Sequence, residues 1–214
     1  MTQRLVVIGA GGFGREALDV VEAINRMAAE SVFQVVGVAD DAPTDAAREH
    51  LTARGVSLIG SIADWSGAHL GDQYLICIGD PIVRAEIDRR MLEAGHVAAT
   101  AIHPNATVGS MGSIGAGTII CSGAEISTNV SLGRNVHINP NATIGHDVTL
   151  SECVSINPGA IISGDVMIGP QTLVGAGAVV LQGLTLGARC VVGASACVTR
   201  DVAAGATVKG VPAR

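Results

Sequence analysis

Ile138-Asn139-Pro140-Asn141-Ala142-Thr143-Ile144-Gly145-His146-Asp147-Val148-Thr149-Leu150 carries, in thirteen residues, the rule that governs the latter half of this 214-residue chain. An aliphatic residue returns at every sixth position from Val108 to Val198, sixteen times without a break. The next position is Gly at eight of the sixteen, Gly145 among them, and the residue four places on is mostly small or β-branched, as at Ala142 and Val148. Amphipathic helices need 3.6-residue periodicity and few glycines, so they are excluded here. A hexapeptide period marks a parallel β-helix, in which each repeat is one short strand plus a corner.

Three hexapeptides make one triangular coil of about eighteen residues, and the aliphatic position points inward to stack on its equivalents about 4.8 Å away. That column is the expected core. Gly, Asn and Ser then fall near the corners, where few steric restrictions help. Hydrogen bonds between coils satisfy the peptide groups, so the rod needs no aromatic core. The chain has only two Phe, one Trp and one Tyr.

Composition narrows the function classes. A formal net charge of −6, with Lys209 as the only lysine, offers no basic face to nucleic acid. No uninterrupted run of about 18 apolar residues is present to span a membrane. Five cysteines without CxxC spacing argue against a disulfide framework or zinc ribbon and read as small buried hydrophobes of a reducing cytoplasm. A strand within the first ten residues leaves no room for a signal peptide.

Upstream of the rod, Leu5 to Ile8 is a continuous apolar run, followed by Gly9-Ala10-Gly11-Gly12-Phe13-Gly14 and a helical pattern through Ala17, Leu18, Val21 and Ile24. Strand, GxGxxG turn and helix is the context in which that motif holds a phosphate, though the same glycines also serve close helix packing. A second strand, Phe33 to Ala39, ends at Asp40-Asp41, where a carboxylate meets a ribose in such folds. A helix is expected over Asp45–Arg54, strands over Val56–Ile59 and Tyr74–Ile78, the turn Gly79-Asp80-Pro81, and a helix over Ile82–Ala94 with Arg84, Arg89 and Arg90 on its polar side. Residues 1–96 thus read as a small Rossmann-like α/β domain of four strands, suited to a mononucleotide or a nucleotide-linked group. Residues 97–203 read as the β-helix, entered near His103-Pro104, and 204–214 as a tail.

Of the six histidines, His50, His69 and His96 are expected at solvated surface and His103 in a hydrogen-bonding role at the junction. His146 lies off the inward column with Asp147 next to it, and the eighteen-residue coil puts Thr128 below it and Gly164 above. A neutral imidazole, with an ordinary pKa near 6.5, suits proton removal near neutral pH, and a carboxylate can fix its tautomer. Strand alternation sends neighbours to opposite sides, so the pair can meet only if the chain turns a corner there. His137 falls below Ser155, as a hydrogen-bonding group or an ordinary rod-surface residue. A zinc site from His103, His137 and His146 is a rival, but no His-x4-His pair supports it and no metal is expected. There is no GxSxG, and Cys153 has no evident activating partner.

Leu5 to Gly14, Cys77-Ile78-Gly79-Asp80, Ala101-Ile102-His103-Pro104, Ile144-Gly145-His146-Asp147 and the ending Gly210-Val211-Pro212-Ala213-Arg214 together resemble the sialic-acid O-acetyltransferase-like sugar acyltransferases of NeuD/PglD type. The resemblance spans nearly the whole chain. It implies a left-handed parallel β-helix, a homotrimer, and acetyl-CoA bound as donor in the groove between neighbouring rods. Carried over by position, His146 matches the family's base, Asp147 its acidic neighbour, and Gly164 the glycine whose amide meets the thioester carbonyl. Gly11, Gly12, Phe13, Asp40, Asp41, Gly79 and Asp80 fall with the nucleotide-sugar contacts, and Ser155, Gly175, Ala176, Gly177, Lys209 and Pro212 along the coenzyme. Phe13 stands where many members have His, and Ser155 where some have a second His. The implied activity is acetyl-CoA-dependent acetylation of a nucleotide-linked amino sugar; O-acetylation of a sialic-acid-like sugar and a non-catalytic trimeric scaffold stay open, as does the carrier nucleotide.

Overall fold

The structure is a computed structural model that describes residues 2–68 and 71–214, so the expectation for His69 lies outside the described residues. The chain divides into two compact units, Met1–Ala101 and Ile102–Arg214.

The first unit runs β1 (Gln3–Ile8), α1 (Gly12–Met27), β2 (Phe33–Ala39), α2 (Asp45–Ala53), α3 (Ile62–Ala68), β3 (Gln73–Ile76), α4 (Pro81–Glu93) and β4 (Val97–Ala98). The sheet is parallel, in the order β2-β1-β3-β4. Central β1 is apolar throughout Leu5–Ile8 because both of its faces are covered, and all four residues are 0% exposed. Helix α1 lays Ala17, Leu18, Val20 and Val21 into the core. Asp80 caps α4, accepting from the Ile82 and Val83 amides at 2.8 and 3.1 Å, with Pro81 in the first turn.

Three expectations fail here. Val56–Ile59 makes a single bridge, Leu58 to Val38, before Gly60 turns the chain away at φ +111°, and the fourth strand is Val97–Ala98 instead. Arg84 is buried rather than on a polar side; its Nη1 donates to the Ile78 carbonyl at 2.8 Å and so ties α4 to the loop after β3. His96 is buried too, stacked on Trp65 with ring centroids 4.6 Å apart and Nε2 at 3.0 Å from the Ser66 carbonyl.

The second unit is the expected parallel β-helix. Each of the sixteen aliphatic positions is the second residue of a two-residue strand, and with Ala101–Ile102 and Thr207–Val208 these strands form three faces of five, seven and six. Equivalent residues are eighteen apart, as His137 against Ser155 and Thr143 against Ile161. The core is wider than one column. Val136, Ala142 and Val148, two residues before their strand partners and on the same side, are 0% exposed alongside Ile138 and Ile144. The corners also differ from expectation in detail. The left-handed residue is the third after the aliphatic one: Asn129, Asn135, Asn141 and Asp147 have φ between 51 and 60°. These are side chains that tolerate that region. The Gly directly after the aliphatic residue serves close approach, for a Cβ on Gly145 would lie 2.6 Å from the Gly164 nitrogen of the next coil.

Residues 204–214 are not a free tail. Thr207–Val208 pairs with Val191–Val192 on the seven-stranded face, at a register of sixteen residues instead of eighteen, and Ala213 is buried with its amide on the Cys197 carbonyl at 2.7 Å. None of the five cysteines is in a disulfide; four are buried and Cys197 is half-buried. Among the described residues no helix is long and apolar enough to cross a membrane.

Candidate active site

His146 stands two residues past the end of the strand Thr143–Ile144, where the chain leaves the six-stranded face for the five-stranded one. Asp147 follows at φ 60°, and this left-handed turn overrides strand alternation, bringing both side chains to one side. Their polar atoms meet, Nδ1 to Oδ2, at 2.7 Å. The carboxylate only accepts, so Nδ1 carries the proton and Nε2 is left as the acceptor. Both side chains are about half exposed. The Asp147 carboxyl is held below the usual carboxylate range, first by the His146 hydrogen bond and then by the Asn129 amide, which donates to Oδ1 at 3.0 Å. One coil above, the Asp165 amide donates to the His146 carbonyl at 2.9 Å, and polar side-chain atoms of His146, Asp147 and Asp165 lie within 4.8 Å of one another. Among the described residues His103, His137 and His146 form no such cluster.

The ring lies over Gly164. A Cβ there would fall 2.6 Å from both Cε1 and Nε2. On the other side a groove of about 540 Å³ opens, lined by His146 with Thr107, Glu125, Ser127, Thr128 and Thr143 of this coil and those below it. The Thr107 hydroxyl donates to Glu125 Oε1 at 3.0 Å, and Glu125 is exposed in the groove.

The other candidates fall into separate places. Gly175, Ala176 and Gly177 occupy the corner at the opposite edge of the six-stranded face, with Ala176 and Gly177 exposed. Exposed Lys209 stacks above them on that corner, its Cβ against Gly193 and its backbone paired in both directions with Arg214. Pro212 is exposed in the same terminal hook. Ser155 and His137 are only 2% and 1% exposed, so of the two readings left open the rod-surface one fails for both. His103 does take a local hydrogen-bonding role, Nδ1 accepting from the Asn105 amide at 3.0 Å.

In the first unit the glycine turn follows β1 at the point where the strand order reverses, the crevice where open α/β sheets bind ligands. Gly14 is there for packing, since its Cβ would lie 1.9 Å from the Gly9 carbonyl oxygen, whereas Gly11 and Gly12 face open space at the start of α1. Phe13 is half-buried. The acidic pair is engaged with backbone: Asp40 accepts from the Ala10 and Ala42 amides at 2.7 and 2.8 Å, and Asp41 from the Ile62 amide at 2.8 Å. Gly79 and Asp80 are exposed at the end of β3, Asp80 as the α4 cap.

Residues 4–91 match the PglD N-terminal domain. No curated protein matches the chain. Among solved structures, it matches perosamine N-acetyltransferase from Caulobacter crescentus, a His-to-Asn mutant in complex with CoA and GDP-perosamine, at 28% identity and a TM-score of 0.88, over 100% of this chain and 97% of that one. It matches the acetyltransferase domain of PglB from Neisseria gonorrhoeae FA1090, in complex with acetyl coenzyme A, at 27% identity and 0.85, over 100% and 99%. WeeI from Acinetobacter baumannii AYE aligns at 26% identity and 0.84, over 100% and 99%. The chain is an acyltransferase, and it resembles the NeuD/PglD type.

Two features of this acyltransferase's site escaped the sequence reading. Asn129 was within reach, because the arithmetic that sets Thr128 under His146 sets Asn129 under Asp147. The groove was not, since its hydroxyls come from outward positions that look the same on every coil.

Proposed function

We propose that this acyltransferase carries an acetyl group from acetyl-CoA to a nucleotide-linked amino sugar, with His146 as general base. The observation that carries the reading is the imidazole itself: Nδ1 fixed on Asp147, Nε2 open beside Gly164, and a polar groove at its other side. The CoA, acetyl-CoA and GDP-perosamine bound by the matching structures support the choice of donor and acceptor class.

The acceptor nitrogen attacks the thioester carbon while Nε2 takes its proton. Asp147 stabilises the imidazolium, as a buried Asp does in the Ser-His-Asp template. The oxyanion forms against the Gly164 amide, a contact worth about 2.7–4 kcal/mol where comparable donors have been removed. Collapse breaks the carbon–sulfur bond, and the coenzyme leaves as its thiol with the proton returned by His146. No step calls on a metal. The sugar sits in the groove, its hydroxyls meeting Glu125 and Thr128. Taken by itself, the first unit offers nucleotide phosphates the Gly11 and Gly12 amides at the head of α1. The coenzyme runs along the corner of Gly175, Ala176, Gly177 and Lys209, and a homotrimer in the cytoplasm sets one rod's corner against the next rod's His146.

Release of the CoA thiol, followed with a panel of nucleotide-linked amino sugars and of sugar hydroxyls, tests the reading and separates N- from O-acetylation. His146→Ala is expected to lower kcat by about 10²–10⁴ with the melting temperature unchanged. Wild-type kcat in a folded His146→Ala protein removes the base assignment. Calorimetry with acetyl-CoA tests the scaffold alternative, which has no reason to bind it.

A further inference from the structure

Asp147 is 44% exposed, and a carboxylate so open to water has several rotamers available. Only one of them meets the imidazole. We infer that Asn129 is a positioning residue for His146, its side-chain amide holding the Asp147 carboxylate in the rotamer that accepts from Nδ1. The inference rests on the reading of His146 as the base.

The two residues occupy the same corner one coil apart, both left-handed, at φ 59 and 60°. Stacked residues of equal backbone conformation project their side chains in parallel, so Asn129 Nδ2 reaches Asp147 Oδ1 at 3.0 Å while Oδ2 is left for His146 at 2.7 Å. The amide's orientation is fixed by its partner. An ionised carboxylate only accepts, so the NH₂ must face it. The corner column continues upward to Asp165, also left-handed at φ 58°, whose carboxylate joins the same cluster. Asp147 therefore has a like charge above it, and the neutral donor below offsets that repulsion. A carboxylate at position 129 would instead make three in a column. The acidic groups facing the imidazole are Asp147 and Asp165 from the corner and Glu125 from the groove. With Asp147 free to rotate, the ring populates the tautomer protonated at Nε2, which cannot take the acceptor's proton.

Two substitutions that suit a left-handed backbone test this. Asn129→Gly deletes the amide, and Asn129→Asp replaces it with a charge of the wrong sign at nearly the same volume. The measurements are the pH–rate profile of acetyl transfer, KM for both substrates, and thermal melting. Asn129→Gly is expected to lower kcat roughly ten-fold, the usual cost of losing a group that orients a functional histidine, with both KM values unchanged. Its acid limb moves to lower pH, because the imidazolium has lost its fixed carboxylate. Asn129→Asp also lowers kcat, but its acid limb moves to higher pH, because the added negative charge favours the imidazolium. A structural role cannot move the limb in opposite directions in the two variants. A kcat for Asn129→Gly within about two-fold of wild type overturns the proposal, as does a fall in kcat with no movement of the profile. His146→Ala in the same assay separates the failures: if it is inactive while Asn129→Gly is normal, only the role of Asn129 falls. If it is active, the base assignment falls as well.

Discussion

At Gly164 the missing side chain is occupied space, because the His146 ring fills the volume a Cβ would take, 2.6 Å from Cε1 and Nε2. Gly164→Ala must push the ring outward. The ring is half exposed, so the displacement costs the fold little, while Nδ1 is pulled from Asp147 and the reacting atoms lose their alignment. Displacements of about 1 Å can cost 10²-fold in rate. The expected result is a fall in kcat of that order with melting unchanged; a Gly164→Ala enzyme of wild-type kcat shows that the ring does not work where it lies. Acid conditions probe the neighbouring residue. Hydrogen bonds from His146 and Asn129 lower the Asp147 carboxyl, so its contribution to stability is present above its unfolded value, about 3.9, and is lost as pH falls through the lower folded one. An acid limb of activity above about pH 4 therefore does not report Asp147. His146 was legible from its neighbour and from the coil arithmetic, but the 2.7 Å pairing was not. It depends on a non-glycine residue taking φ 60°, which the alternation rule does not anticipate.

Elements divide the glycines into two kinds that a motif cannot tell apart. In the turn after β1, Gly14 abuts the Gly9 carbonyl, and Gly12 has nothing within 4 Å. Gly14→Ala sets a methyl 1.9 Å from a backbone oxygen that no rotamer change can relieve, and overpacking of this kind costs about 1–3 kcal/mol or more. Gly12→Ala is expected to leave stability within about 0.5 kcal/mol, as for an open surface site. Yet it adds bulk where the nucleotide phosphates are proposed to meet the helix, so KM for the acceptor should rise while KM for acetyl-CoA holds. Thermal melts and steady-state kinetics on the two variants separate the roles, and an unchanged acceptor KM in Gly12→Ala moves the phosphates elsewhere. The rod's strands were readable one by one because a single period sets both the inward position and the register. The first unit was less so. Val56–Ile59 has the composition of a strand, but two left-handed glycines, Gly55 and Gly60, bracket it and limit it to one bridge. Val97–Ala98 joins the sheet with only two residues, too short for any pattern. Arg84 reads as surface in every composition rule, and its burial follows from a tertiary demand, the carbonyls of the loop after β3.

The whole molecule poses the question of how its two corners act together. His146 and the corner of Gly175, Gly177 and Lys209 border opposite edges of the six-stranded face; Ile161 lies in a strand of that face and Leu181 directly after its strand Val179–Val180, each 43% exposed. Exposed apolar residues along such a face are suited to cover by a second rod. In the proposed homotrimer each cleft takes His146 from one chain and the Lys209 corner from the next, as cyclic symmetry repeats one heterologous contact three times. Complementation tests this directly. His146→Ala supplies a sound coenzyme corner and no base; Lys209→Glu supplies a sound base and, at low acetyl-CoA, a poor coenzyme corner. Each homotrimer should be nearly inactive under those conditions. Random mixing of the two by co-expression gives clefts with both sound halves in about a quarter of cases, so about a quarter of the wild-type rate should return. Native mass spectrometry of the co-expressed protein establishes that mixed trimers are present. Mixed trimers with no recovered activity mean that a single rod supplies both corners of its own cleft, with the coenzyme wrapped along one chain. A protein that stays monomeric removes the shared cleft altogether.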